Sequence, residues 1–527
     1  MNNIYTMSKS LSRNKKKQKY DNEICDDAMT FQECEIAILR KAVDESEAVQ
    51  GKRVATNEEV KKIISILEEF LKLKHVICYG GTAINNILPK DDQFYDKDIE
   101  VPDYDFYSST AMDDAIELAN IYHDSGYTEV EAKAGVHHGT YKVYVNYLPI
   151  ADITQLNNMI FDELYKSSIK IAGIKYASAD FLRMAMFLEL SRPDGDVSRW
   201  EKVHKRLNLL NKHYPLKAMG KCNNVEFQRK MNRDTKIGIV EKENMTLEEI
   251  EAEIFSIVRD ELASQGAVFF GGYACSLYGT YLKDHTKHEF AKIPDFDVIV
   301  ENIERVALII KEQLEENGYT KIGLIEHAAI GEIVPKHIEI RVGKETIAFL
   351  YEPIACHNYN KIVIGGNTSI NVATIDTILT FYLAFLYTKK IYYYKDRLTC
   401  IAEFLFNVQE ENRLSQKGLL KRFSMDCYGK QPTMEDLRSA KSEKFVELSS
   451  IKGTREYDEW FLNYKPSLKR KEPLTNKGKM KSLNKKVIEY SPGFKHKSQT
   501  RKHKPANKFR PVKSPIQKSK KNNKYLF

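Results

Sequence analysis

The chain has 527 residues, of which 42% are hydrophobic and 29% charged, and its formal net charge is +8. This length exceeds what one hydrophobic core usually serves, so we expect two or three structural units. No apolar run reaches the roughly 18 residues of a membrane helix, and the basic stretch from Arg13 to Lys19 lacks the apolar core of a secretion signal, which together exclude a helical membrane protein and predict an intracellular one.

The cysteines predict neither a zinc site nor a disulfide framework, because none of them forms a CxxC pair. We expect reduced thiols with structural roles. The eight positions are Cys25, Cys34, Cys78, Cys222, Cys275, Cys356, Cys400 and Cys427.

The first predicted elements follow a lead segment of 50 residues. Thr56 to Glu59 has the sequence of a capping box, and apolar residues recur after it at helical spacing. A short apolar strand, Val76 to Tyr79, enters Gly80-Gly81-Thr82, and a helical stretch follows until Pro89. Glycines at a helix start let the backbone approach phosphate oxygens, and the Thr82 hydroxyl would add a contact.

An aspartate pair comes next, within the predicted strand from Val101 to Phe106. Asp103 and Asp105 share one face because side chains alternate along a strand, and such a pair suits hard cations. Asp152 is the candidate third ligand, because an acidic residue inside its apolar run would otherwise be costly to bury. Gly-Gly and Asp-x-Asp pairs are common in turns and on solvated surfaces, so the prediction depends on their order along the chain.

The same order of elements recurs further along the chain. Thr246 to Glu249 caps a second amphipathic helix, an apolar strand enters Gly271-Gly272, and Asp295 and Asp297 follow. The interval from cap to first glycine is 24 residues in one copy and 25 in the other, and that from glycine to first aspartate is 23 and 24. We therefore predict two related α/β units.

The predicted organisation has five parts, and polar residues 219–244 connect the two units. They are a lead segment (1–50), a catalytic unit (51–215), a degenerate unit (240–410), a helical extension (411–464) and a tail (465–527). The tail holds 21 lysines and arginines but two glutamates, a net charge of +19, which leaves −11 for residues 1–464. Its composition predicts disorder, and nucleic-acid binding, solubility and localisation remain equally good interpretations of its charge.

Gly80-Gly81-Thr82, Asp103-Tyr104-Asp105 and Asp152 together resemble the nucleotidyltransferase signature of the DNA polymerase β superfamily. With the tandem second unit, residues 50–410 resemble the poly(A) polymerase catalytic subunits of poxviruses and other large DNA viruses. The resemblance implies an α/β (α+β) fold in which each unit has a mixed five-stranded sheet flanked by helices. It also implies ATP as the substrate, two Mg²⁺ or Mn²⁺ ions as cofactors, the RNA 3′ end as acceptor, and residence in the virion and host cytoplasm. Assembly stays open between a homodimer and a complex with a separate processivity subunit.

The resemblance also assigns roles to residues. Asp103 and Asp105 would hold both ions and the ATP phosphates, and Asp152 would hold the ion that activates the primer hydroxyl. A cation for the triphosphate is expected after the third aspartate. We predict Lys175 and Arg183, although each is equally compatible with a solvated helix charge; Arg192 and Arg199 are further candidates.

The second unit is predicted to be inactive. Alignment of the copies places Phe349 where Asp152 stands and Tyr273 where Thr82 stands. Glu339 or Glu352 would supply the missing carboxylate only if the alignment were shifted by a strand. A structural or RNA-binding role is therefore expected.

Two further segments concern possible binding. Phe381 to Leu386 is predicted to be a buried helix, whereas Tyr392 to Lys395 suits either a core or the stacking of bases. His137 and His138 are interpreted as a turn rather than as zinc ligands.

Other functions fit parts of this pattern. A terminal uridylyltransferase, a CCA-adding enzyme and an aminoglycoside-type nucleotidyltransferase share the motif, although the length and basic tail favour a polynucleotide acceptor. A non-catalytic RNA-binding scaffold is the alternative from another class.

Overall fold

The computed structural model describes residues 24–25, 29–55, 57–96, 101–218, 222, 245–282, 295–365, 368–390 and 392–468. The predicted tail, except for 465–468, lies outside the described residues. So do Thr56, most of the predicted linker and residues 1–23 of the lead segment.

Sixteen strands are present in the described residues. They are β1 (Ile77–Tyr79), β2 (Tyr104–Ser108), β3 (Val130–Ala134), β4 (Thr140–Val145), β5 (Leu148–Gln155), β6 (Ile169–Ile171), β7 (Ile174–Tyr176), β8 (Val268–Phe269), β9 (Phe296–Ile299), β10 (Ile322–His327), β11 (His337–Val342), β12 (Glu345–Tyr351), β13 (His357–Ile364), β14 (Thr368–Ala373), β15 (Cys427–Tyr428) and β16 (Asn463–Tyr464).

Two mixed sheets contain these strands, and seven strands of each share one topology, while a short edge strand lies at opposite ends of the two sheets. The first has the order β16-β3-β4-β5-β2-β1-β7-β6 and the second β10-β11-β12-β9-β8-β14-β13-β15. In each sheet the Asp-x-Asp strand runs antiparallel to the strand before the glycines and parallel to the strand carrying the third position. The predicted duplication is therefore present in the fold. The implied count of five strands per sheet was too low, because a hairpin and a short edge strand extend each sheet.

Fourteen α-helices accompany the sheets in the described part of the chain. They are α1 (Phe31–Ala55), α2 (Glu58–Leu73), α3 (Gly80–Ile87), α4 (Ala111–Asp124), α5 (Asn158–Ser167), α6 (Ala179–Leu190), α7 (Trp200–His213), α8 (Leu247–Ser264), α9 (Gly272–Gly279), α10 (Ile303–Glu316), α11 (Ile375–Phe385), α12 (Lys395–Glu411), α13 (Met434–Leu448) and α14 (Arg455–Phe461). None of the described helices has the length and apolar character needed to cross a bilayer.

Local caps fix where the leading helix of each repeat begins. Thr246 and Glu249 form the predicted capping box at α8. The capping box predicted at Thr56 is wrong, because the α2 cap is Asn57, whose side chain accepts a hydrogen bond from the Glu59 amide. An asparagine can satisfy a free amide of the first turn as well as threonine does, so the helix keeps its start.

Helices α6 and α11 pack against each other and join the two repeats. The Ser178 and Tyr387 hydroxyls lie 2.6 Å apart, and the Asn358 amide donates to the Ser191 carbonyl over 2.9 Å. Every residue of α11 is buried, which confirms the predicted core from Phe381 onward.

The segment after α12 returns to the first sheet. Strand β16 pairs with the outer strand β3, and α14 lies beside it. The Arg455 guanidinium donates to both carboxylate oxygens of Asp113 at 3.1 and 3.0 Å. The predicted helical extension thus contains helices, but it ends as an edge strand of the sheet that carries Asp105.

The expectation of reduced cysteines without a disulfide framework was wrong. Disulfide bonds join Cys25 to Cys34, Cys222 to Cys400, and Cys356 to Cys427, while Cys78 and Cys275 are free and buried. Two of these pairs join residues 178 and 71 positions apart. Such pairs depend on the tertiary fold, and spacing along the chain does not reveal them.

Candidate active site

Two of the three predicted carboxylates lie on adjacent strands of the first sheet, and the third directly precedes one of these strands. Asp105 on β2 pairs in register with Asp152 on the parallel strand β5, so both side chains share one face. Asp103 precedes Asp105 by two residues and is the least buried of the three. The fold thus brings together residues that are 49 positions apart in the chain.

Burial and mutual repulsion make this cluster unfavourable for negative charge. Burial, followed by Asp103 and then Asp152, raises the pKa of the Asp105 carboxyl to about 7. Burial and then Asp152 also raise the pKa of Asp103. A divalent cation would relieve both effects, and carboxylate oxygens are the ligands that Mg²⁺ and Mn²⁺ prefer.

The three aspartates do not form a closed cage around one ion. Among the described residues, the ligand atoms of Asp194, Cys356 and Cys427 all lie within 4.8 Å of one another, but the two cysteines share a disulfide bond. The aspartates do not form a group as compact as this.

Gly80 is required where the backbone meets Asp105. Helix α3 begins at Gly80, whose φ is +74°, and a Cβ there would lie 2.5 Å from Asp105 Oδ2. Any other residue would carry both the strain of the left-handed region and a clash with a predicted ligand.

Gly81 and Thr82 also make specific contacts. A Cβ at Gly81 would lie 2.5 Å from the Tyr95 hydroxyl and 3.0 Å from Arg206 Nη1. Thr82 is buried, and its hydroxyl donates to the Asp103 carbonyl over 2.5 Å. Thr82 therefore positions the Asp-x-Asp backbone, a contact that the sequence pattern did not predict.

Of the two residues predicted to bind the triphosphate, Arg183 is engaged in contacts within the protein core. Its side chain is fully buried, contacts Asp180, and donates to Asn211 Oδ1 over 2.8 Å and to the Tyr214 carbonyl. These donors hold α6 to the end of α7. The nucleotide-binding role of Arg183 stays a prediction that these contacts do not support.

Lys175 lies on β7 and is engaged elsewhere. Its ammonium lies 3.6 Å from the centre of the Tyr165 ring and donates to the Ser168 hydroxyl over 3.2 Å. Burial, with a smaller contribution from Lys170, lowers its pKa. No described contact connects it with the aspartates, so its nucleotide-binding role stays a prediction.

Other cations lie near the cluster instead. Lys142 on β4 pairs in register with Asp152, and its ammonium contacts Asp152 Oδ2. Lys142 and then Arg199 lower the pKa of Asp105 against the larger effects that raise it. Arg199 was a lesser candidate from the sequence, and Lys142 was missed. The signal available in the sequence was the alternating pattern around Lys142, which indicates a strand next to the one that carries Asp152.

Arg206 on α7 was also missed. Its guanidinium donates to the Tyr95 hydroxyl over 2.7 Å and lies 4.8 Å from the centre of the Phe94 ring. It therefore lies directly beside the Gly81 backbone, at the start of α3.

The second repeat keeps the sheet but fills the equivalent position. Phe349 pairs with Asp297 as Asp152 pairs with Asp105, which confirms the predicted alignment. Phe349 is 1% exposed, and the Tyr392 ring lies 5.0 Å from it. The equivalent site is therefore closed by aromatic side chains, and Tyr392, which the sequence left open, is part of that packing.

Glu339 does not replace the missing carboxylate. It pairs with Phe349 on the neighbouring strand, and it is held by Arg341 at 2.7 Å, by the Thr346 hydroxyl at 2.5 Å and by His327 at 3.1 Å. The alignment is thus not shifted by a strand.

The sheet order, the glycine turn and the aspartates on neighbouring parallel strands agree with the nucleotidyltransferase signature that the sequence resembles. Residues 65–196 match the family model described as poly(A) polymerase catalytic subunit. The resemblance to viral proteins of this kind is therefore confirmed for the segment that contains all three aspartates.

Related proteins and one solved structure support the same resemblance. A protein of Acanthamoeba polyphaga mimivirus, provisionally named a poly(A) polymerase catalytic subunit, is 32% identical over 168 residues, which cover 31% of this chain and 28% of the relative. A protein of African swine fever virus with the same provisional name is 29% identical over 180 residues, 33% of this chain and 38% of the relative. The matches thus span less than two fifths of these relatives. The crystal structure of the Megavirus polyadenylate synthase has the same fold, with a TM-score of 0.67 over 86% of this chain and 88% of that one at 18% identity.

Proposed function

We propose that this chain is a polynucleotide adenylyltransferase that transfers AMP from ATP to the 3′ end of RNA. The observation that carries the proposal is the register of Asp105 with Asp152 beside Gly80, within the segment that matches the family model. The proteins that share this segment or this fold are named for poly(A) synthesis.

Asp103, Asp105 and Asp152 are the residues that would hold Mg²⁺ or Mn²⁺. Bound ions of this kind lower the pKa of an attacking hydroxyl and neutralise charge on a phosphate. The chain's own contribution is positioning. Gly80 leaves room for Asp105, and Thr82 fixes the carbonyl of Asp103.

Arg199 and Arg206 are our candidates for the triphosphate. Arg199 acts electrostatically on Asp105, and Arg206 lies against Gly81, where the first amides of α3 begin. An arginine fork pairs with two phosphate oxygens at once, so these residues are better placed than the buried Arg183.

We also propose that the second repeat is non-catalytic. Asp295 and Asp297 are 6% and 5% exposed, and Phe349 occupies the third position. The repeat would support the first through the α6 and α11 contact.

The decisive experiment uses the full-length chain and a short RNA primer, with each nucleoside triphosphate supplied separately and with Mg²⁺ or Mn²⁺. We expect elongation with ATP, loss of elongation in Asp105→Asn and Asp152→Asn, and unchanged RNA binding by fluorescence anisotropy. The matched control is Asp297→Asn, the equivalent change in the second repeat, which should retain activity. Elongation with UTP instead would identify a uridylyltransferase, and bound but unextended RNA would support the scaffold alternative.

The assembly is tested with the same protein. Light scattering and elongation by the lone chain separate a self-sufficient homodimer from a protein that needs a processivity subunit.

A further inference from the structure

Lys142 holds a position that neither the sequence signature nor the proposed roles explain. It lies on β4 directly opposite Asp152, and its ammonium contacts Asp152 Oδ2. It also acts electrostatically on both Asp103 and Asp105. One ammonium thus contacts Asp152 and lies close enough to act on the other two carboxylates.

We propose that Lys142 is a positioning residue, an internal counter-ion that competes with divalent cations for Asp152 and withdraws when they bind. This rests on the proposed function only for the identity of the ion. The lysine side chain is 38% exposed, and the Asp152 side chain is 23% exposed. A flexible ammonium at that exposure can turn into solvent without leaving a buried charge unpaired.

The second repeat provides an internal comparison. There the third position is Phe349, and the residue opposite it is Glu339 instead of lysine. The glutamate pairs with Arg341 at 2.7 Å. The residue opposite the third position is therefore a lysine where that position holds a carboxylate, and it is not a lysine where that position is apolar. This difference is expected if the lysine is a counter-ion.

The strand order places Lys142 and Asp105 on opposite sides of Asp152, because β5 lies between β4 and β2. The Lys142 ammonium contacts Asp152 Oδ2 from the β4 side. A divalent cation bound among the aspartates would compete for Asp152 from the β2 side, and Lys142 would then turn toward solvent.

The test is Lys142→Met, which keeps the length of the side chain and removes its charge. Mn²⁺ binding to the full-length chain without ATP is measured by electron paramagnetic resonance of the free ion. Because a competing positive charge is removed, we expect Mn²⁺ to bind roughly three- to tenfold more tightly. Lys142→Arg should bind Mn²⁺ like the wild type.

Lys133→Met is the matched control. Lys133 is the cross-strand neighbour of Lys142 on β3, but its ammonium contacts Glu131. Lys133→Met removes the same charge, but one strand farther from Asp152, so its Mn²⁺ affinity should stay within about twofold of the wild-type value. Equal effects of the two variants would reduce the result to a general field effect and overturn the inference. Weaker Mn²⁺ binding by Lys142→Met would overturn it as well.

A second measurement does not depend on ion affinity alone. Thermal unfolding in EDTA should occur at a lower temperature for Lys142→Met than for the wild type, because the carboxylates lose their counter-ion. Saturating Mn²⁺ should close that gap; a gap that persists would contradict the inference. If the wild type fails to extend RNA while the variants still differ in Mn²⁺ affinity as expected, the proposed function falls and the inference stands.

Discussion

Gly80→Ala tests whether the close approach of the glycine turn to Asp105 is needed for activity. The added Cβ would lie 2.5 Å from Asp105 Oδ2 and 3.3 Å from its carboxyl carbon, and the backbone has a φ of +74°. Two separate penalties therefore arise, one from the backbone and one from displacement of a carboxylate.

The two penalties have different sizes and different readouts. A non-glycine residue in the left-handed region costs about 1–2 kcal/mol of stability. To restore ordinary van der Waals contact, Asp105 must move by about 1 Å, and a misplacement of that size costs on the order of 100-fold in rate. We expect Gly80→Ala to fold with a modest loss of stability and to lose elongation activity by about that factor.

Gly126→Ala is the control, because Gly126 has a φ of +100° but no atom within 4 Å of an added Cβ. It should lose similar stability in urea unfolding and keep its elongation rate. The assay is single-turnover addition of AMP to a labelled primer at saturating ATP. Equal rates in the two variants would refute the steric argument.

Four further substitutions distinguish structural from functional cations and test one buried histidine. Arg183→Met should lower the free energy of unfolding by about 3 kcal/mol, because partners of a buried guanidinium are left unpaired, while Lys175→Met should change it by less than about 0.5 kcal/mol. Arg206→Gln should raise the KM for ATP roughly tenfold without changing RNA affinity, measured by steady-state kinetics and anisotropy; an unchanged KM would remove Arg206 from the triphosphate site. Burial, followed by Arg192, lowers the pKa of His357 from 6.5 to about 3, so protonation favours the unfolded chain and stability is lost as the pH falls below 6.5. His357→Leu should therefore lose about 2 kcal/mol less than the wild type in urea unfolding between pH 6.5 and pH 5, and parallel losses would contradict the burial argument.

The parts of the site that the sequence predicted share one property. Asp103 and Asp105 follow from strand alternation, and Gly80 follows from its place between an apolar strand and a helix. The register of Phe349 with Asp297 followed from comparing the repeats. These are local or repeated patterns, so they can be recognised in the amino-acid sequence alone.

What the sequence could not predict depends on tertiary packing. Nothing in the α6 sequence distinguishes the buried Arg183 from a solvated charge, because its burial depends on Asn211 and on the end of α7. The Cys222 to Cys400 pair spans 178 positions. Arg206 lies 125 residues after Gly81, and only the packing of α7 beside the glycine turn makes them neighbours.

The two repeats together separate what the fold needs from what the chemistry needs. Both keep the strand order, the glycine before the short helix and the Asp-x-Asp strand, and a Cβ at Gly271 would lie 2.3 Å from Asp297 Oδ2. Close approach of a glycine to the second aspartate therefore belongs to the architecture and does not by itself indicate catalysis. The repeats differ at the third position and its cross-strand neighbour, where Asp152 and Lys142 stand against Phe349 and Glu339. The charges of the two sites differ at these two positions. Substitutions of Asp152 and Lys142 therefore test the proposed activity most directly.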